Sequence, residues 1–285
     1  KKMSVQLAAR RSLPSAWQTP TYKQYFNRAF SNSEISETNP AVRNQDFYFY
    51  DTHVKFIYDP SPRDKIRATF FNVANQLTFE EIAQGVNGTE QKKSSLEQHS
   101  MGASMNYSRL WSDKVKTTLE GYLSGYSLDA INNDIPVNQQ LTQGNEVLET
   151  GLRMGTLLQV KSNFYLQTGY QFFETGITNS DVVNNPEFSR TIKEVNRTHS
   201  VFAEGNYSMN EERTQLRVGI RGNYFSKLNT ITLEPRIVIN QKLAKNFSSR
   251  IMGEIKTQTS VQIIDLQSDF LGVEKRRWLM SNGDD

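Results

Sequence analysis

The stretch Phe164-Tyr165-Leu166-Gln167-Thr168-Gly169-Tyr170-Gln171-Phe172 sets Phe164, Leu166, Tyr170 and Phe172 on one parity and Gln167, Gly169 and Gln171 on the other. A two-residue period belongs to an extended strand whose faces meet different surroundings, whereas a helix would repeat every three or four residues. The same alternation runs through Leu148 to Leu158 and Leu216 to Tyr224. Working outward from these runs gives eleven strands, roughly 2 to 12, 46 to 58, 64 to 74, 97 to 110, 114 to 126, 147 to 160, 163 to 174, 195 to 208, 213 to 225, 230 to 240 and 246 to 258. Most exceed ten residues. A globular strand averages about five or six, and a tilted strand crossing a bilayer needs about nine to eleven.

The connections alternate in kind. Short turns fall at Asp59 to Asp64, Trp111 to Asp113, Lys161 to Asn163, Met209 to Glu212 and Asn240 to Lys245. Between them lie long polar stretches, Pro14 to Gln45, Gln76 to Glu97, Ser127 to Asn145, Glu174 to Glu194 and Gln258 to Gly272, which read as loops. Only Ser226 to Asn229 is short where a long connection is due. Tight turns on one rim and long loops on the other are the pattern of an outer-membrane barrel.

One parity class carries Val5, Leu7, Val54, Phe56, Leu119, Leu152, Val201, Ile220, Ile237 and Ile251, and no charge away from the strand ends. A charge facing lipid at mid-bilayer costs about 2 to 4 kcal/mol, so a clean face is expected where hydrocarbon is the solvent. The opposite class holds the candidate functional groups Glu120, Glu149, Arg153, Glu204, Arg217, Arg221, Glu234, Arg236, Arg250 and Glu254. These face the lumen in the barrel reading. They either touch a plug or line a solute path, or simply neutralise one another across neighbouring strands. Outward aromatics collect near the short turns as Tyr58, Tyr107, Phe164, Tyr207 and Phe247, and near the other rim as Tyr48, Tyr50, Tyr170, Phe172 and Tyr224. Two such girdles mark the interfaces of a membrane barrel. A soluble sandwich also alternates oily and polar residues, and is the competing fold. Glycines within strands, among them Gly102, Gly151, Gly169 and Gly219, either let a plug or ligand approach the backbone or relieve curvature.

Composition removes other classes. Across 285 residues, 33 basic against 30 acidic side chains give a charge of +3, too balanced for a nucleic-acid partner. With no cysteine, thiolate metal sites and cysteine nucleophiles are excluded. No window approaches the roughly 20 apolar residues of a membrane helix. His53, His99 and His199 are scattered, and no catalytic spacing, metal site or phosphate cradle emerges, so neither an enzyme nor a cofactor is expected. The oxygen-rich Asp129 to Asp134 lacks calcium-loop spacing and reads as a solvated loop. The sequence opens Lys1-Lys2-Met3 and runs out at Gly283-Asp284-Asp285 without a closing element, and we expect a piece of a longer chain.

Four stretches carry a resemblance: Arg11-Ser12-Leu13-Pro14 running on to Thr19-Pro20-Thr21-Tyr22, Phe47-Tyr48-Phe49-Tyr50-Asp51, Leu233-Glu234-Pro235-Arg236, and Asp269 to Trp278. In their order and fit to the strand map they resemble the barrel domain of TonB-dependent outer-membrane receptors, in particular the SusC-like kind of Bacteroidetes. The resemblance spans the whole chain. It implies an all-β, antiparallel transmembrane barrel, with residues 1–285 a partial barrel domain of about half the strands of a 22-stranded barrel. Plug, closing strands and TonB-contacting box are not seen. It further implies a bacterial outer-membrane location, TonB-energised uptake of a scarce solute, and as partners outer-membrane lipid, the protein's own plug and remaining strands, the TonB complex and a surface lipoprotein. The solute is left open among siderophore, vitamin, oligosaccharide and peptide. Two other functions stand beside this one: a non-transporting barrel subunit of a larger outer-membrane complex, and a soluble glycan-binding β-sandwich.

Overall fold

A computed structural model describes residues 2–12, 20, 42–85, 88–134, 138–209, 213–265 and 275–281. Eleven strands form one antiparallel sheet in which each pairs with its neighbours in sequence: β1 (Met3–Arg11), β2 (Val42–Tyr58), β3 (Asp64–Gly85), β4 (Gly88–Ser112), β5 (Val115–Asp134), β6 (Gln139–Lys161), β7 (Phe164–Asn184), β8 (Glu187–Met209), β9 (Thr214–Phe225), β10 (Thr230–Ala244) and β11 (Phe247–Glu254). Two further strands, β12 (Ser260–Asp265) and β13 (Lys275–Met280), form a separate pair. All eleven expected strands are present. No helix among the described residues is long and apolar enough to cross a membrane.

The loops of the sequence reading need correction. Gln76 to Glu97, Ser127 to Asn145 and Glu174 to Glu194 are mostly strand, so that β3 to β8 run for 20 to 25 residues and turn within a few residues at their far ends. Gln258 to Gly272 likewise contains β12. The reason is the outer face. In these stretches it carries polar residues such as Thr78, Asp129 and Thr178, while Leu77, Leu128 and Ile177 are withdrawn from solvent on the inner side, so the apolar outer row that signals a strand is lost. Pro14 to Gln45 lies outside the described residues except for Pro20 and the start of β2, as do Asn210 to Glu212 of one short turn and Asp269 to Glu274 of one resembling stretch.

The ladder registers the expected parities without a slip between the faces. Val5 sits opposite Phe56, Leu7 opposite Val54, Val54 opposite Phe70 and Ile239 opposite Ile251, all on one side. Arg10 opposite Asp51 and Glu120 opposite Arg153 fall on the other. Register shifts occur beside three of the short turns, at Leu110/Ser112, Gln159/Lys161 and Lys242/Ala244, where an extra residue increases the twist into the turn.

Burial is inverted relative to a soluble domain. The aliphatic face is bare, with Leu7 71%, Val201 62% and Ile251 66% exposed. The residues withdrawn from solvent, Leu77, Leu128, Ile177 and Val238 together with Asn145, Thr198, Ser200 and Asn223, share the parity of the charged side chains. Side chains thus crowd on the polar side, the inner face of a curved sheet. This overturns the sandwich alternative, which requires a second sheet over the oily face. The second sheet, β12 with β13, instead lies against the polar side of β6 and β7.

Candidate functional site: the charged inner face

Glycine opens room on this face at defined places. Phe71 lies opposite Gly102, Tyr122 opposite Gly151 and Phe202 opposite Gly169. A Cβ on any of these glycines would fall 2.3 to 2.6 Å from the ring facing it. The space that sequence reasoning offered to a plug or ligand is therefore filled by a cross-strand ring, an arrangement that supports a strongly coiled sheet.

Three charged groups follow along the face. At the first edge Arg10 Nε donates to Asp51 at 2.8 Å. On β5 to β7, Glu149 accepts from the Tyr122 hydroxyl at 2.9 Å and from the Thr175 hydroxyl at 2.8 Å. Arg153 stacks 4.5 Å from the Tyr122 ring centre and approaches Glu120 at 3.6 Å. Glu120, Glu149 and Arg153 are thus one cluster, organised around a tyrosine that the charge pattern did not single out.

The third group is a cavity of about 380 Å³ on the inner face of β8 to β11, lined by Glu204, Arg217, Arg221, Glu234, Arg236, Glu254 and Lys256 among others. Six of the ten candidate residues meet here. Glu204 contacts Arg217 at 3.3 Å and Arg236 at 4.0 Å. Glu254 contacts Lys256 at 2.8 Å and Arg236 at 3.7 Å. Glu234 accepts the backbone N–H of Thr257 at 2.8 Å. Arg221 donates to Asn223, Gln171 and Ser200 at 2.8, 2.7 and 3.0 Å, all neutral acceptors. Arg250 stands apart, opposite Asn240 on the short-turn side of the cavity. The sequence reading missed Gln171, Ser200, Asn223 and Lys256. The first three share the inner face with Arg221, but only the register shows that they surround it; Lys256 shares the parity of Glu254 within the expected strand 246 to 258, which in the structure ends at Glu254.

A separate contact ties β13 to the far half of β6 and β7. The Trp278 N–H donates to Asn145 Oδ1 at 3.0 Å, and the Asn179 amide donates to the Trp278 carbonyl at 3.2 Å. Arg277 meets Asp181 at 3.3 Å. Asn145 is fully withdrawn from solvent.

The aromatic candidates lie on the aliphatic face, Tyr58, Phe164, Tyr207 and Phe247 near the short-turn ends of their strands but Tyr48, Tyr50, Tyr170 and Phe172 well inside theirs. Tyr107 donates to Asp64 at 2.7 Å, and Phe164 and Tyr207 meet edge to face at 6.4 Å. Tyr48 and Tyr50 are 5.9 Å apart. Tyr58 meets Phe56 at 6.3 Å, and Phe247 is widely exposed on β11. Midway along β7 and β8, Tyr170 and Phe172 with Tyr224 of β9 surround His199, whose Nδ1 is 2.7 Å from the Tyr170 hydroxyl. In the turn after β2, Arg67 donates to Asp59 at 2.6 Å, and that hydrogen bond holds the exposed Asp59 carboxyl below its ordinary value. Among the described residues no group of metal-binding side chains gathers.

No family model and no curated protein matches the chain. Solved structures do. One is the ferric preacinetobactin receptor BauA of Acinetobacter baumannii, 10% identical, with a TM-score of 0.54 over 84% of this chain and 43% of that one. Another is a mutant of the ferric enterobactin receptor PfeA of Pseudomonas aeruginosa, 11% identical, with a TM-score of 0.51 over 82% of this chain and 36% of that one. At such identity the likeness shows the fold alone: an antiparallel partial barrel like those of the two receptors. The chain spans less than half the length of either receptor.

Proposed function

We propose that these residues form part of an outer-membrane barrel that takes up a scarce solute through a plugged lumen, using energy delivered by TonB. The inverted burial carries the reading. A bare aliphatic face on one side and a charged, crowded face on the other is stable only where hydrocarbon meets the first and water or a plug meets the second. In this reading lipid contacts the outer face, with Tyr48, Tyr50, Tyr58, Tyr107, Phe164, Tyr170, Phe172, Tyr207, Tyr224 and Phe247 at its two interfaces. The edges of β1 and β11, each paired on one side, are joined by further strands of the barrel. The ten charged inner residues line the plug or the solute path. The solute is a siderophore, vitamin, oligosaccharide or peptide, and the resemblance to SusC-like receptors adds a surface lipoprotein as partner.

Fractionation and uptake test this. The full-length protein is expected in carbonate-washed outer membranes, released only by detergent, and its solute uptake is expected to stop when TonB is depleted. Release into buffer without detergent would reject the membrane assignment. Unchanged uptake without TonB would reject the energised mechanism.

A further inference from the structure

We infer that the cavity on β8 to β11 is an oxyanion site, taking one carboxylate or phosphate group of a soluble ligand on the Arg221 guanidinium. The inference deepens the proposed function and rests on it, since it makes this cavity a station on the solute path.

The carboxylates of the cavity are already engaged. Glu204 has Arg217 as its nearest cation, Glu254 has Lys256, and Glu234 is taken by a backbone N–H. Arg221 is left with neutral acceptors only, although Glu234 is its register partner across the ladder. Three bonds from Nε and one terminal nitrogen hold its fork in place, and the other terminal nitrogen has no protein acceptor among the described residues. A guanidinium fixed in this way is preorganised for a planar oxyanion, because little of its rotamer freedom remains to be lost.

Arg236 adds a second incompletely satisfied cation. Its Nε is withdrawn from solvent without a hydrogen-bond partner, and its nearest carboxylates are 3.7 and 4.0 Å away. Four cationic side chains (Arg217, Arg221, Arg236, Lys256) against three carboxylates (Glu204, Glu234, Glu254) leave one positive charge, which matches a carboxylate or a monoanionic phosphate and disfavours a polyanion. A neighbouring cavity of about 260 Å³ also reaches Arg221, Glu234 and Lys256, with Phe173 and Thr198 on its wall. The remainder of an organic ligand has space there while its charged group stays on Arg221.

The test uses full-length protein in detergent, with inorganic phosphate and acetate as probes against chloride at equal ionic strength. Phosphate is expected to shield Arg221 from phenylglyoxal, read by mass spectrometry, while Arg250 on the same face still reacts. Saturable thermal stabilisation by phosphate is expected in the wild type and in Lys116→Gln, which removes a cation of the same face on β5, outside the cavity. In Arg221→Gln its apparent affinity should fall roughly ten-fold or more, the loss of one charge-assisted hydrogen bond. Equal labelling of Arg221 with and without phosphate, or a chloride response matching that of phosphate, would overturn the site. The labelling arm needs no variant and does not depend on how Arg221→Gln folds. Fractionation and TonB dependence are read separately, so failure of the anion site is distinguishable from failure of the transporter assignment.

Discussion

The near and far halves of β8 differ in what their outer faces carry. From His199 to Tyr207 the outer face reads His, Val, Ala, Gly, Tyr, whereas from Ser189 to Arg197 it reads Ser, Thr, Lys, Val, Arg. Both halves are continuous strand in one ladder with the same hydrogen bonding. Alternation is therefore a property of the solvent contrast across a sheet rather than of the strand, and it ends where the contrast ends.

The sharpest way to break this comparison is to place one charge in each half. Val201→Arg is expected to cost about 2 to 4 kcal/mol near mid-bilayer, less if it sits closer to an interface. Thr191→Arg, ten residues away on the same face of the same strand, is expected within about 0.5 kcal/mol of wild type. Denaturant titration of the protein folded into lipid vesicles measures both, and equal costs would erase the distinction.

The inner faces of the two halves are tested next. Gly151→Val in the near half drives a side chain into the Tyr122 ring, 2.3 Å from the position of its Cβ, and breaks the Tyr122 bond to Glu149. About 1 to 3 kcal/mol of destabilisation is expected, read as a shifted denaturant midpoint, whereas Gly121→Ala, on the outer face opposite Leu152, meets nothing within 4 Å and should be silent. In the far half, Asn145→Ala leaves the Trp278 N–H without its acceptor, and a cost of about 1 to 3 kcal/mol is expected. Faster amide exchange at Trp278, with the near half unchanged, would localise it.

The smallest effect lies at the turn rim. Asp59 is expected to titrate below 3.8, its ordinary value, because Arg67 stabilises the ionised form. A depressed carboxyl contributes stability above its unfolded value and loses it as pH falls through the folded one, so the contribution fades below 3.8. Asp59→Asn should remove that part of the acid dependence, and a titration of Asp59 at or above 3.8 would refute the assignment.

The near half was legible in the sequence, down to the parity of every strand, because an aliphatic outer face leaves a periodic trace. Runs such as Ser127 to Asp134 hid their strand character because their outer side is mostly polar and Leu128 and Ala130 are withdrawn on the inner side, so no apolar outer row remains. The candidate site was half legible. Parity alone placed Glu204, Arg217, Arg221, Glu234, Arg236 and Glu254 on one face, but their meeting in one cavity depends on register across four strands. Tyr122 and Asn145 carried no sequence signal, since a tyrosine over a glycine and an amide under a hairpin are defined by neighbours distant in the chain.

In the proposed outer-membrane placement, the length of β7 has a consequence for whatever approaches the cell from outside. The strand continues twelve residues past Phe172, to Asn184, which at about 3.3 Å per residue is roughly 40 Å of paired backbone. A phage or an antibody arriving at such a palisade would meet stiff hairpin tips before any bilayer, and its epitope would be conformational, abolished by boiling rather than retained on a linear peptide.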